Sequence, residues 1–226
     1  MSPPWCIGIP HPPLFLPLTP QGPLYIVDRR QNQRTGGRIV TPIERFEIRI
    51  AGFGGQGVVT IGKILGTAFT VYEKRNSVNT QSYGPESRGG ACRSEVVLSD
   101  GEIYYPNVRK ADIFVSLSQV AFDKYISGLD EHGTLLIDPN AVTAIPEQNQ
   151  YKIYKVPTME LAHEIGSLKF QNSVALGALY PLIQGFVKEA SLKQALSENV
   201  PPKTVDSNLS AFEKGFQHIQ KHYKLS

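Results

Sequence analysis

The sequence predicts an α/β fold: a mostly parallel, Rossmann-like sheet with helices on both faces and a helical C-terminal part. Three observations predict it. Phe46 to Ala51 is an apolar run that reads as a buried strand, and Gly52, Gly54, Gly55 and Gly57 follow at once. Val58, Ile61, Leu65 and Ala68 then recur at helical spacing up to about Tyr72. Strand, glycine turn and helix open a βαβ unit. Beyond it, short apolar runs alternate with helical stretches, the pattern of a sheet covered on both sides.

Taken in order, Ser77 to Tyr83 reads as a second strand. Gly84-Pro85-Glu86-Ser87-Arg88-Gly89-Gly90 follows as a turn-rich loop. Ala91 to Ser99 is a strand ended by the turn Asp100-Gly101, and Ile103 to Tyr105 is expected to pair back. Asp112 to Leu117 is a short apolar strand, followed by a helix over about 119–126. Gly133 to Ile137 and Tyr151 to Val156 are further strands. Thr158 to Ile165 reads as a helix with Thr158 as its cap. Asn172 to Leu179 begins another helix, which Pro181 is expected to kink or interrupt. Ser191 to Ser197 and Val205 to Tyr223 complete the helical end, and there are no internal repeats.

Residues 1–45 differ from everything after them. They hold nine of the 17 prolines, a density that blocks helix and interior strand alike. We read an extended or disordered arm, with 46–226 as the folded domain. Two readings of the arm stay open. One is a dispensable extension, as a misassigned start codon would give; the other is an arm whose Trp5, Phe15, Leu16 and Tyr25 dock on a partner subunit.

The net charge of +3 sits entirely in that arm, where five arginines face Asp28 and Glu44, and the rest balances at 18 basic and 18 acidic groups. A folded part with no bulk charge gives no case for nucleic-acid binding. Mean hydropathy is −0.19 and no apolar run nears the ~18 residues of a membrane helix, so no membrane span is expected. Two cysteines, Cys6 and Cys92, exclude a disulfide scaffold and are too few for an iron–sulfur cluster, which takes about four. Low cysteine use and no secretion-signal pattern fit a cytoplasmic protein.

Three nucleotide readings meet the glycine run. A dinucleotide site wants an acid about twenty residues on, at the end of the second strand. That strand offers Asn79, Gln81 and Ser82 instead, and Glu73 falls at a helix end. A P-loop matches as Gly57-x4-Gly62-Lys63, but Ile64 stands where Ser or Thr must hold magnesium. The third reading is a phosphate-bearing ligand without a ribose-reading acid. Its donors would be the loop amides at a helix N-terminus, the Gln56 side chain and Arg88 as a bidentate donor. Lys63 is either a solvated helix residue or an added cation. Arg88 alternatively pairs with a neighbouring acid, and Asn172 alternatively caps its helix. No Gly-x-Ser-x-Gly elbow is present. Cys92 reads as a buried small side chain, and His218 and His222 as a solvated face lacking a third metal ligand. No catalytic or metal-binding residue is expected.

At this point the sequence resembles the gamma subunit of 2-oxoacid:ferredoxin oxidoreductases, a module also found within single-chain pyruvate:ferredoxin oxidoreductases. The matching residues are Gly52 to Val58, Gln81 to Gly90 (Gln-Ser-Tyr-Gly-Pro-Glu-Ser-Arg-Gly-Gly), Ser94-Glu95-Val96 and Ala111-Asp112-Ile113. Val156-Pro157, Asn172 to Ala178, and Asn208 to Gly215 match as well. The likeness runs from about residue 46 to 218, and residues 1–45 have no counterpart in it.

The resemblance implies a subunit of a complex that converts a 2-oxoacid, coenzyme A and oxidised ferredoxin into acyl-CoA, carbon dioxide and reduced ferredoxin. It implies thiamine diphosphate, magnesium and iron–sulfur clusters on alpha and beta subunits (and on a delta, where the complex has one). This chain lacks the Gly-Asp-Gly and distant Asn that hold thiamine diphosphate, so it would not act alone. The resemblance further implies that Gly54, Gly55, Gln56 and Gly57 line a coenzyme A phosphate loop. Lys63 would pair with a phosphate, Asn172 would hydrogen-bond the ligand, and Arg88 and Gly89 would shape the rim. The Gln81 to Gly90 string looks most like 2-oxoglutarate enzymes; pyruvate, branched-chain oxoacids and indolepyruvate stay open. A free NAD-dependent dehydrogenase and a non-catalytic scaffold subunit are the rival functions.

Overall fold

The computed structural model describes residues 43–82, 90–146 and 150–224, within a folded unit spanning Thr41–Ser226. The arm up to residue 42 and the loop 83–89, which holds Arg88 and Gly89, lie outside the described residues.

Six strands form one sheet: β1 (Phe46–Phe53), β2 (Asn76–Ser82), β3 (Ala91–Ser99), β4 (Ala111–Ser116), β5 (Leu129–Ile137) and β6 (Lys152–Lys155). Their spatial order is β2-β3-β1-β4-β5-β6. The β1–β4, β4–β5 and β5–β6 pairs are parallel, and β3 runs antiparallel to β1 and to β2. The mostly parallel sheet is therefore as expected. The helices are α1 (Val58–Thr67), α2 (Gln119–Tyr125), α3 (Thr158–Glu164), α4 (Gln171–Ile183), α5 (Glu189–Glu198) and α6 (Val205–His222).

The period-2 alternation of β1 sorts its side chains between two cores. Ile48 and Ile50 join Val96, Leu98, Ile113, Val115 and Leu136 on the face covered by α1, α4, α5 and α6. Ala51, Val97, Phe114, Leu135 and Ile137 face the smaller core under α2. Both faces of the sheet are thus covered by helices. On the α2 face a buried pair, Arg49 Nε to Glu95 Oε1 at 2.8 Å, crosses from β1 to β3.

The chain joins this body before β1. Ile43 N donates to Asp100 Oδ2, and the Arg45 guanidinium donates to the carbonyls of Tyr105 and Asn107. Those bonds explain one correction: Ile103 to Tyr105 forms no strand, because that segment wraps the start of β1 instead of pairing with β3. A second correction concerns the interruption expected at Pro181: α4 continues through it to Ile183. A helical proline costs about 3 kcal/mol, but 12 of the 13 residues of α4 are buried. That burial outweighs one lost N–H bond.

α4 and α6 cross with almost no space between their backbones. A Cβ on Gly177 would lie 1.8 Å from Phe212 O, and one on Gly215 would lie 2.0 Å from Val174 O. Ser173 Oγ donates to Asn208 Oδ1 at 2.6 Å across the same crossing. The matched segments 172–178 and 208–215 are the two sides of one contact.

Candidate functional site

The site lies at the carboxyl ends of the parallel neighbours β1 and β4, whose following helices, α1 and α2, cover opposite faces of the sheet. Ligands of open α/β sheets bind at such switch points. Residues 54–57 leave β1 and enter α1, and Leu117 at the end of β4 closes the other wall, with Leu117 N donating to Ala51 O at 2.9 Å.

Within the loop, Gln56 N donates to Phe53 O at 3.2 Å, and the first helical bond runs from Ile61 N to Gly57 O. The N–H groups of Val58, Val59 and Thr60 therefore precede any helical acceptor. Among the described residues, those of Gly54, Gly55 and Gly57 have no acceptor either. Six amides at the positive end of a ten-residue helix thus lack an acceptor among the described residues, an arrangement that suits an anion.

Gly57 is required twice over. Its φ is +72°, in the left-handed region, and a Cβ there would lie 2.7 Å from the Asn172 side chain. Asn172 is 8% exposed, and its Oδ1 is buried with no hydrogen-bond partner among the described residues. A buried amide oxygen without a donor is rare in a folded protein. α4 begins at Gln171 with Phe170 as its N-cap and no side-chain cap bond, so the capping reading of Asn172 is overturned. Its amide instead lies against the glycine loop.

Lys63 is exposed on α1, with no ion pair or hydrogen bond among the described residues. It stands five residues after Val58, about 7.5 Å of helix rise. Helical side chains lean toward the N-terminus, so its ammonium can reach back toward the loop.

The role expected for the Gln56 side chain is corrected. Its Oε1 accepts from Phe53 N at 2.6 Å, and its Nε2 donates to Leu117 O at 3.0 Å and to Gln171 Oε1 at 3.5 Å. Gln56 holds the loop together and has no amide to spare for a ligand. Gly52 makes this possible, since a Cβ there would lie 2.5 Å from Gln56 Oε1.

Two nucleotide readings fail on geometry. Ile64 is 1% exposed in the core, and Gly62 is where α1 rests on Ser94 and Asn79, so the P-loop match is a packing coincidence. β2 is separated from β1 by β3, about 10 Å away. Its end lacks a carboxylate, and Glu73 accepts from Lys188 N. Among the described residues, no ribose-reading acid of the dinucleotide kind adjoins the loop.

Sequence reasoning missed three residues behind the loop. Gln171 Nε2 donates to Thr158 Oγ1 at 3.0 Å, and Thr158 Oγ1 donates to Asp138 Oδ2 at 2.6 Å. Asp138, fully buried at the end of β5, also accepts from Met159 N and Asn140 N, both at 2.9 Å. Thr158 is thus the first residue of α3 after the N-cap Pro157 and not its cap, and Asp138 satisfies the orphan N–H of Met159. The adjacent Asp138-Pro139 read only as the end of a strand; nothing in the local spacing marks its carboxylate as a long-range partner.

Cys92 is buried in the core, and burial pushes its thiol above the usual range. Among the described residues no cluster of three potential ligands forms a metal site. The rings of His218 and His222 lie 4.4 Å apart on α6. Burial first, and then the charge of His222, hold His218 below its usual 6.5. The unfolded chain then takes up this proton more readily than the folded one, so His218 supports stability above about pH 6.5 and loses that support as pH falls through the folded value. His218→Asn should flatten the fall of Tm as pH drops below about 6.5, measured by calorimetry.

Residues 47–218 match the family model for pyruvate ferredoxin/flavodoxin oxidoreductase. The 2-oxoglutarate synthase subunit KorC of Methanocaldococcus jannaschii is 46% identical over 176 residues, covering 76% of this chain and 93% of that protein. The gamma subunit of a keto/oxoacid ferredoxin oxidoreductase from Geobacter sulfurreducens superposes with a TM-score of 0.70 at 37% identity. That match covers 78% of this chain and 99% of the other. The 2-oxoglutarate:ferredoxin oxidoreductase of Magnetococcus marinus, solved with 2-oxoglutarate, coenzyme A and succinyl-CoA, shares the fold with a TM-score of 0.73 at 24% identity. It covers 81% of this chain and 32% of that one. A match over three quarters of the residues, sitting on the sheet, the glycine loop and the α4–α6 crossing, places this chain in the pyruvate ferredoxin/flavodoxin oxidoreductase family.

Proposed function

We propose that this chain is the gamma-type subunit of a 2-oxoacid:ferredoxin oxidoreductase, and that its glycine loop holds the pyrophosphate of coenzyme A. The complex oxidatively decarboxylates a 2-oxoacid to acyl-CoA and passes the electrons to ferredoxin. Likeness to 2-oxoglutarate synthase subunits favours 2-oxoglutarate. The observation that carries the coenzyme A reading is the set of unsatisfied amides at Gly54, Gly55, Gly57 and the first turn of α1. The buried, unpartnered Asn172 Oδ1 beside them supports it, because it calls for a donor that a polar ligand supplies.

The division of labour follows from residue chemistry. Carbon–carbon cleavage belongs to thiamine diphosphate and magnesium, and electron transfer to iron–sulfur clusters, all on alpha and beta subunits (and delta, where one exists). This chain has two cysteines and, among the described residues, no paired acid and base at the loop, so its own part is to bind and orient. The loop amides neutralise phosphate charge, Lys63 adds one long-range cation, and Asn172 takes a ligand N–H or O–H. In this reading Arg88 and Gly89 form the rim, residues 46–226 are the catalytic domain and 1–45 a separate arm, and the complex is cytoplasmic.

Lys63→Ala tests it in the assembled complex. The KM for coenzyme A should rise about fivefold, the loss of one partly solvated charge contact. The KM for the 2-oxoacid should hold. Unchanged coenzyme A dependence would remove Lys63 from the site and favour a purely scaffolding subunit.

A further inference from the structure

We propose that Asp138, Thr158 and Gln171 are positioning residues that set the conformation of the glycine loop and through it the affinity for coenzyme A. The proposal rests on the coenzyme A reading above. The four side chains form one relay: Asp138 accepts from Thr158, Thr158 from Gln171, Gln171 from Gln56, and Gln56 from the Phe53 amide.

The polarity is set at both ends, by Asp138 and by the loop backbone, where Gln56 Nε2 donates to Leu117 O at 3.0 Å and its Oε1 accepts from Phe53 N. Asp138 Oδ1 and Oδ2 already accept from Asn140 N and Met159 N, which can only donate, so the Thr158 hydroxyl points its hydrogen at Asp138. The lone pairs of Thr158 then face Gln171 and select its NH2 group. The carbonyl of Gln171 is thereby turned to Gln56 and selects that NH2 group in turn. Gln56 is left with its Oε1 against Phe53 N, the bond that folds the loop. Were either amide reversed, two donors or two acceptors would face each other. A chain of like-directed bonds also strengthens each member. Asp138, Gln171 and Thr158 are each 5% exposed or less, so water competes little for these bonds. The chain runs from β5 through α3 and α4 to the loop after β1, so a carboxylate 82 residues away in sequence reinforces the orientation that Phe53 N and Leu117 O also impose on Gln56. The 3.5 Å step from Gln56 to Gln171 is its longest link, and there the relay should yield first.

The test uses the full complex and two readouts. Thr158→Val keeps the volume and removes the hydroxyl; Thr158→Ser keeps the hydroxyl; Gln171→Leu breaks the chain independently of both. In Thr158→Val and Gln171→Leu the Phe53 amide should exchange its hydrogen about tenfold faster than in the wild type, since one buried bond is loosened. The KM for coenzyme A should rise by a similar factor with kcat nearly kept, and Thr158→Ser should restore both. Unchanged Phe53 exchange in both variants that fold overturns the relay. Faster exchange with an unchanged KM overturns its link to the ligand. Gly54→Ala, whose Cβ meets nothing within 4 Å, then tells which idea failed: if it raises that KM, the relay alone is wrong, and if it does not, the coenzyme A site is wrong.

Discussion

Gly177→Ala should lower stability by about 3 kcal/mol or more, at the upper end of overpacking effects. Helix propensity argues the other way, since alanine is favoured over glycine by about 1 kcal/mol in a helix. The crossing decides the sign. A methyl on Gly177 would lie 1.8 Å from Phe212 O, a backbone atom held in the middle of α6. No rotamer change relieves that contact, so α4 and α6 must separate and expose Val174, Leu179 and Phe212. Gly215→Ala meets Val174 O in the same way and should behave alike. Gly185→Ala is the control, with nothing within 4 Å of its Cβ. Urea or thermal unfolding should show Tm falling by about 6–12 °C for the first two and hardly moving for the third.

Gly57→Ala should raise the KM for coenzyme A at least about tenfold, from two costs that add. A non-glycine residue in the left-handed region costs about 1–2 kcal/mol. The new methyl also meets the Asn172 side chain at 2.7 Å and must displace it. Gly54→Ala separates ligand effects from folding effects. Its φ is not positive and its Cβ would meet nothing within 4 Å, so the protein should keep its Tm. A methyl projecting from the open cradle should still weaken coenzyme A. Steady-state kinetics of the assembled complex and a melting curve for each variant check both. Equal coenzyme A dependence in Gly54→Ala, Gly57→Ala and wild type would remove the loop from the ligand's path.

The layout of the fold was legible because it rests on short-range patterns. The apolar run of β1, the glycine turn and the 3.6-residue spacing of α1 are adjacent in sequence and adjacent in space. The same holds for β3, whose bounds 91–99 coincide with the reading. Thr158 and Pro181 misled because distant atoms settle their roles, a carboxylate on β5 for one and the burial of α4 for the other. Gln56 misled similarly: a glutamine in a glycine loop looks free until its partners on the β4 and α4 termini are in place. Several matched segments turn out to be architectural. Ser94 supports Gly62, Glu95 pairs with Arg49, and Val96 is core, so that string records a packing constraint rather than a ligand contact.

The sheet ends on β6, whose outer edge would ordinarily be open to a further strand. The Tyr223 hydroxyl, just beyond α6, accepts from Lys155 N at 2.8 Å and donates to Lys155 O at 3.2 Å. A phenol thus occupies a donor and an acceptor that an incoming chain would need, and Lys152 and Lys155 add charge along the same border. Head-to-tail polymerisation through sheet edges requires two competent edges per copy, so sealing this one confines any such growth to pairs. Removal of the last few residues would expose a site for runaway fibre growth without touching the ligand cradle.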